Sequence, residues 1–198
     1  MVSAHHQHLH ARAGRAARAV FRHAHRPSSP ATWWRRAVSG SVGWTLGLLH
    51  DIGSLVRLAV DRDTEVQIAA YCEAEEALPE EAESALGATA STVWGRELCE
   101  EWRLPSAFHL VASHHRSGVA PRTSAVDDAA YLAIVSASSL IARLVGSPLR
   151  PEVREAASIR AAVLLDCEER DLWDLLANAH ALRAEADRGV NELLRGVA

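Results

Sequence analysis

The sequence predicts an all-α protein folded as a single helical domain, and three observations predict it. Apolar residues recur at helical period along most of the chain. No run alternates apolar and polar residues for more than a few positions, and aromatic residues, which favour strands, make up only 5% of the 198 residues. Proline, glycine and serine clusters cut the chain into segments of helical length. With 48% hydrophobic and 23% charged residues, the composition is that of an ordinary globular domain. A chain of this size buries roughly 70% of its unfolded surface, enough for a core that needs no disulfide or metal.

The first predicted helix is the alanine- and arginine-rich stretch Ala11 to Phe21, ended by the segment Pro27-Ser-Ser-Pro30. Residues 1–30 are accordingly read as a basic arm and residues 31–198 as the domain proper. One helix is expected over Val42 to Val60 and another from Thr64 to Leu78, stopped by Pro79. A short acidic helix follows from Glu80 to Gly87, then one from Thr92 to Trp102, closed by Leu104-Pro105. Ser106 is the expected N-cap of the next helix, which carries Phe108, Leu110, Val111 and the pair His114-His115. Ser124 with Asp127 is a capping-box variant that opens a long apolar helix through Leu144. Pro151 starts a helix to about Val163, and the C-terminal helices as a whole are placed over residues 151–195. Leu172, Leu175, Ala179, Leu182, Ala186 and Leu193 of the last helix step by threes and fours, with Gly189 filling one step. That seam is expected to pack on the protein's own core, with a homodimer through this helix as the alternative.

There is no lysine, which removes Schiff-base chemistry, a lysine base and the phosphate-loop lysine together. Residues 1–50 carry seven arginines and no acid, whereas residues 51–198 carry 14 arginines and 25 acids, formally +7 against −11. Arg12, Arg15, Arg18 and Arg22 could contact nucleic acid, but a basic helix lying on its own acidic domain accounts for the same asymmetry and is preferred. The longest apolar candidate for a membrane span, Trp44 to Val60, is interrupted by His50, Asp51 and Arg57, so none is expected. Cys72, Cys99 and Cys167 form no CxxC pair and are odd in number, which points to a reducing, cytoplasmic location. The acids Glu73, Glu75, Glu76, Glu80, Glu81 and Glu83 read as a solvated face.

Two adjacent pairs stand out. His50 and Asp51 interrupt the apolar run Gly47-Leu-Leu-His-Asp-Ile-Gly53, with glycines placed to let neighbouring helices approach. Burying an imidazole and a carboxylate requires hydrogen bonds or a cation. His114-His115 is the second pair, and together the two suggest one site. The bland reading is a set of satisfied core histidines with one on the surface.

The run Leu46-Gly-Leu-Leu-His-Asp-Ile-Gly-Ser-Leu-Val56 resembles the signature of the HD superfamily, and specifically of its HDOD branch, the HD-related output domains of bacterial signalling proteins. Gly95, Leu98, Trp102, Leu104 and Pro105, then His114-His115, then the helix from Tyr131 to Gly146 follow in that family's order, so the resemblance covers about residues 42–146. It implies an HD-like helix bundle. In HD phosphohydrolases, histidines and aspartates from several helices hold divalent metals whose bound water attacks a phosphate. Here the resemblance places Ala90 or Ser91 where a family histidine is expected and Ser138 where an aspartate is expected. An upstream histidine would have to be His8, His10, His23 or His25. The HHExxDGxGYP signature of cyclic-di-GMP phosphodiesterases is also missing, because Arg116 follows His115.

Serine is a poor ligand for divalent ions, so the expectation is a catalytically degenerate, divergent or truncated HDOD-like domain that acts by binding a protein or ligand in a signalling pathway. His50, Asp51, His114 and His115 then form a vestigial site with no metal or a weakly held Mn, Fe, Zn or Mg ion. The alternative is a metal-dependent phosphohydrolase acting on phosphate esters or nucleotides, in which His50, Asp51, His114 or His115 and an N-terminal histidine hold a divalent ion that activates water, with Glu73, Glu76 and Glu83 as candidate replacements for the missing ligands.

Overall fold

A computed structural model describes residues 41–122 and 124–196, with the side chains of residues 41, 186 and 189–196 left aside. The basic arm, the arginines Arg12, Arg15, Arg18 and Arg22, and the histidines His8, His10, His23 and His25 lie outside the described residues. Helices in chain order are α1 (Ser41–Leu49), α2 (Ile52–Val60), α3 (Arg62–Ala74), α4 (Pro79–Leu86), α5 (Ser91–Glu101), α6 (Ser106–His114), α7 (Val126–Gly146), α8 (Pro151–Leu165) and α9 (Glu169–Gly196). No strand occurs among the described residues, and the fold is an all-α helical domain.

Local signals explain most boundaries. Asp61 caps α3 by accepting from the Thr64 amide at 3.3 Å. Pro79 opens α4, where a missing N–H does no harm, and Gly87 closes it at φ 64°. Two caps differ from expectation. Ser106 is already helical and its hydroxyl donates to Asp128 Oδ2 at 2.9 Å, tying α6 to α7 instead of capping α6. Ala125, not Ser124, is the N-cap of α7, without a side-chain hydrogen bond.

The larger difference is that the expected helix over Val42 to Val60 is two helices. It breaks at His50-Asp51, with Asp51 as N-cap of α2 at φ −108°, ψ 32°. The His50 ring donates through Nδ1 to the Gly47 carbonyl at 2.7 Å, closing α1. Both halves are apolar, so their hydrophobic pattern runs on while the backbone does not.

α7 belongs to two apolar clusters. Its Leu132 and Val135 pack with Leu46 of α1 and Leu110 and Val111 of α6. One turn on, Ala137, Leu140 and Leu144 join Val153, Ala157, Ala161 and Leu164 of α8 and Leu172 and Leu176 of α9. By length and hydropathy (21 residues, mean 1.6) α7 could cross a membrane, although Asp127, Asp128 and Arg143 interrupt its apolar run. Its packing on both clusters is that of a core helix.

On α9 the buried positions are Leu172 and Leu176, with Ala179 half-buried, while Leu175 and Leu182 are exposed, Leu182 at 67%. The expected seam through Leu175 and Leu182 therefore does not meet the core. The cysteines Cys72, Cys99 and Cys167 are free.

Candidate functional site

Asp51 emerges at the break between α1 and α2. Its Oδ1 accepts from the Ser54 hydroxyl at 2.9 Å and from the Ser91 hydroxyl at 3.1 Å. Ser91, the residue expected in place of a histidine, is thus buried at the site, at the first position of α5. α5 comes this close because α2 crosses it on glycine. A Cβ on Gly53 would lie 1.8 Å from the Ser91 carbonyl oxygen and 2.6 Å from the Gly95 amide nitrogen. Gly47, by contrast, has nothing within 4 Å of such a Cβ and plays no part in close approach.

From the end of α6 come His115 and Arg116. His115 is 3% exposed, and its Nδ1 donates to the Val111 carbonyl at 3.1 Å, leaving Nε2 at 3.8 Å from Asp51 Oδ1. The His50 ring stands edge-on to it, with centroids 5.0 Å apart. Burial pushes the His115 pKa down to about 4; Asp51 opposes that shift, while His50 and Arg116 reinforce it. Burial works against ionisation of Asp51, but Arg116, His115, the Ser54 hydrogen bond and His50 together hold its carboxyl below the usual value. The site rests as a neutral imidazole beside a carboxylate. His114 is half-buried and places no ring nitrogen in this network among the described residues.

The cation of the site is a guanidinium. Arg116 Nη1 donates to Glu83 Oε2 at 2.7 Å, and its Nη2 lies 3.6 Å from Asp51 Oδ1. Glu83 is only 4% exposed, an exception to the solvated acidic face: Glu73 and Glu76 are exposed, as that reading expects. Glu83 Oε1 also accepts from Arg57 Nη1 at 2.8 Å and from the Ser91 amide at 3.0 Å, so its buried charge is met by three donors. Arg57, 1% exposed, completes the chain through Glu65 at 2.5 Å and the Thr89 carbonyl at 2.8 Å. Burial opposes charge on Arg57, yet the hydrogen bonds it donates to Glu65 and Glu83, and their negative charges, outweigh it and raise its pKa.

Sequence reasoning missed Arg57 and Arg116. The signal for Arg57 was a lone arginine inside an apolar helix, noted only as an interruption. Ser138 is exposed, on the wrong face of α7; Ser136 and Ser139 are the serines of that helix that line the cleft beside Asp51. The cleft has room for only about 20 Å³, and Glu80, Arg143 and Arg160 also line it.

The described residues at this site do not by themselves fit the divalent ion of the HD phosphohydrolases. Among the described residues no three His, Cys, Asp or Glu side chains converge on one point, and the half-buried Asp51 and the buried Glu83 both face Arg116.

Compared with models of protein families, residues 13–117 match the HDOD domain, over half of the chain. The chain belongs to the HDOD family. The HDOD match starts inside the basic arm, upstream of the resemblance drawn from residue 42, and ends just after Arg116. The HDOD site residues from His50 to Arg116 thus fall within it, while α7, α8 and α9 follow it. No curated protein and no solved structure matches the chain.

Proposed function

We propose that this HDOD domain is catalytically degenerate and acts in signalling by binding a protein partner or ligand. The observation that carries the reading is Arg116 between Asp51 and Glu83, at 3.6 and 2.7 Å. A divalent ion would have to compete with a guanidinium already neutralising both carboxylates, and Ser91 offers it a weak ligand in place of an imidazole. Water activation by a metal has no foothold in such a set, whereas a closed network that rigidifies the junction of α1, α2, α5 and α6 suits a binding scaffold.

A protein partner is supported by exposed apolar side chains: Trp44, Leu48 and Leu55 on α1 and α2, and Trp173, Leu175 and Leu182 on α9. The α9 face is the one a second copy would use. Three free cysteines and no disulfide suit a reducing, cytoplasmic compartment.

Elemental analysis of tag-free protein purified without chelator, then incubated with manganese, iron, zinc or magnesium, tests the reading. The expected result is no stoichiometric metal. About one ion per chain, lost in an Asp51→Ala variant, would overturn it and favour the phosphohydrolase.

A further inference from the structure

His115 Nδ1 donates to the Val111 carbonyl at 3.1 Å, so the one proton of the neutral ring sits there and Nε2 presents a lone pair. That lone pair faces Asp51 Oδ1 at 3.8 Å, one acceptor opposite another and too far apart for a direct hydrogen bond. At the same cleft, on α7, Ser136 is 0% exposed and its hydroxyl has no hydrogen-bond partner among the described residues. A buried hydroxyl in that state costs free energy unless something meets it. The cleft lined by these three residues has room for about 20 Å³. About 10–15 Å³ is the least that holds one water, which also needs two to four polar partners.

We propose that the cleft binds a single water molecule, which donates to His115 Nε2 and to the Asp51 carboxylate and accepts from the Ser136 hydroxyl. Water supplies the two donors that a pair of facing acceptors requires, and an oxygen that can accept from the hydroxyl. A gap of 3.8 Å between the acceptors is within the span of one bridging molecule. Arg116 already brings positive charge to within 3.6 Å of Asp51, so the site favours a neutral ligand over a further cation. The bridge joins the head of α2, the end of α6 and the middle of α7 by hydrogen bonds. The inference rests on the degenerate reading of the domain, because it seats at the centre of the motif a water held by protein groups in place of one held by a metal.

A crystal structure of the full chain, grown in EDTA and at a resolution that orders buried water, tests it. The expected result is one density peak about 2.7–3.2 Å from His115 Nε2, an Asp51 oxygen and Ser136 Oγ. In solution, oxygen-17 relaxation dispersion counts long-lived water, and Ser136→Val, which puts methyl groups into the cleft, should lose one such molecule per chain. Ser138→Val, the same change at an exposed position of α7, should keep it. His115 Nε2 bonded directly to Asp51, or equal counts for Ser136→Val and the unaltered chain, would overturn the proposal while leaving the degenerate reading intact. A peak about 2.0–2.2 Å from His115 and Asp51, with the anomalous scattering of zinc or manganese once EDTA is omitted and that metal added, would overturn both.

Discussion

Arg116 Nη1 lies 2.7 Å from Glu83 Oε2 while its Nη2 lies 3.6 Å from Asp51 Oδ1, so one guanidinium bridges a carboxylate of α4 and one at the head of α2. Removing it leaves Glu83 on Arg57 and the Ser91 amide, and Asp51 on the Ser54 and Ser91 hydroxyls without a guanidinium. Arg116→Ala should cost roughly 1.5–3 kcal/mol, the loss of hydrogen bonds to charged groups. In a domain of this size that lowers Tm by roughly 3–12 °C. Thermal denaturation gives the number, and a loss under about 1 kcal/mol would mean that water screens the pairs.

Arg57→Met fills the same volume without the charge and removes one of the three donors to Glu83 and the guanidinium that faces Glu65, its partners at 2.8 and 2.5 Å. Loss of both ion pairs from a buried arginine should cost roughly 3–5 kcal/mol. Glu83→Gln and Arg57→Met together should cost less than the two separate losses added, since both remove the same pair. A double-mutant cycle in urea measures that coupling.

Gly53→Ala and Gly47→Ala should separate cleanly. At Gly53 the new Cβ meets backbone atoms of α5 at 1.8 and 2.6 Å, which cannot rotate away. The two helices must part, at a cost of about 3 kcal/mol or more. Gly47→Ala meets open space and should gain up to about 1 kcal/mol from helix propensity. Equal Tm values for the two would contradict the glycine crossing.

His115 sets an acid limit on stability. Its ordinary pKa of 6.5 falls to about 4 in the folded protein. Between these values the unfolded chain binds a proton that the folded one refuses, so stability rises with pH across that window and is lost on acidification. The full difference is roughly 3 kcal/mol. Asp51, held below its usual pKa, adds a loss only below its unfolded value of 3.8. His115→Gln should flatten the stability curve between pH 6.5 and 4, read as urea midpoints against pH; parallel curves would show that the imidazole titrates normally.

Fold class and family were legible in the sequence because they rest on local signals. Helical periodicity, proline stops and the GLLHDIG run with its downstream W.LP and HH are properties of short windows. His50, Asp51, Ser91 and His115 could be named from the motif, and the structure brings them together. The break at Asp51 was not legible, because apolar residues on both sides of it continue the pattern while the carboxylate's partners come from α5 and α6. Choosing Ser136 and Ser139 over Ser138 needed the rotation of α7, which packing against two apolar clusters fixes. Glu83 looked like any other acid of its run until Arg57, Ser91 and Arg116 closed on it from 26, 8 and 33 residues away in sequence. The sequence by itself determined that helices form and which family motif they carry, since local propensity and hydrophobic period decide both. Only the tertiary structure decided that the charge at the motif's centre is met by arginine, because ion pairing depends on distance in space and leaves no period in the chain.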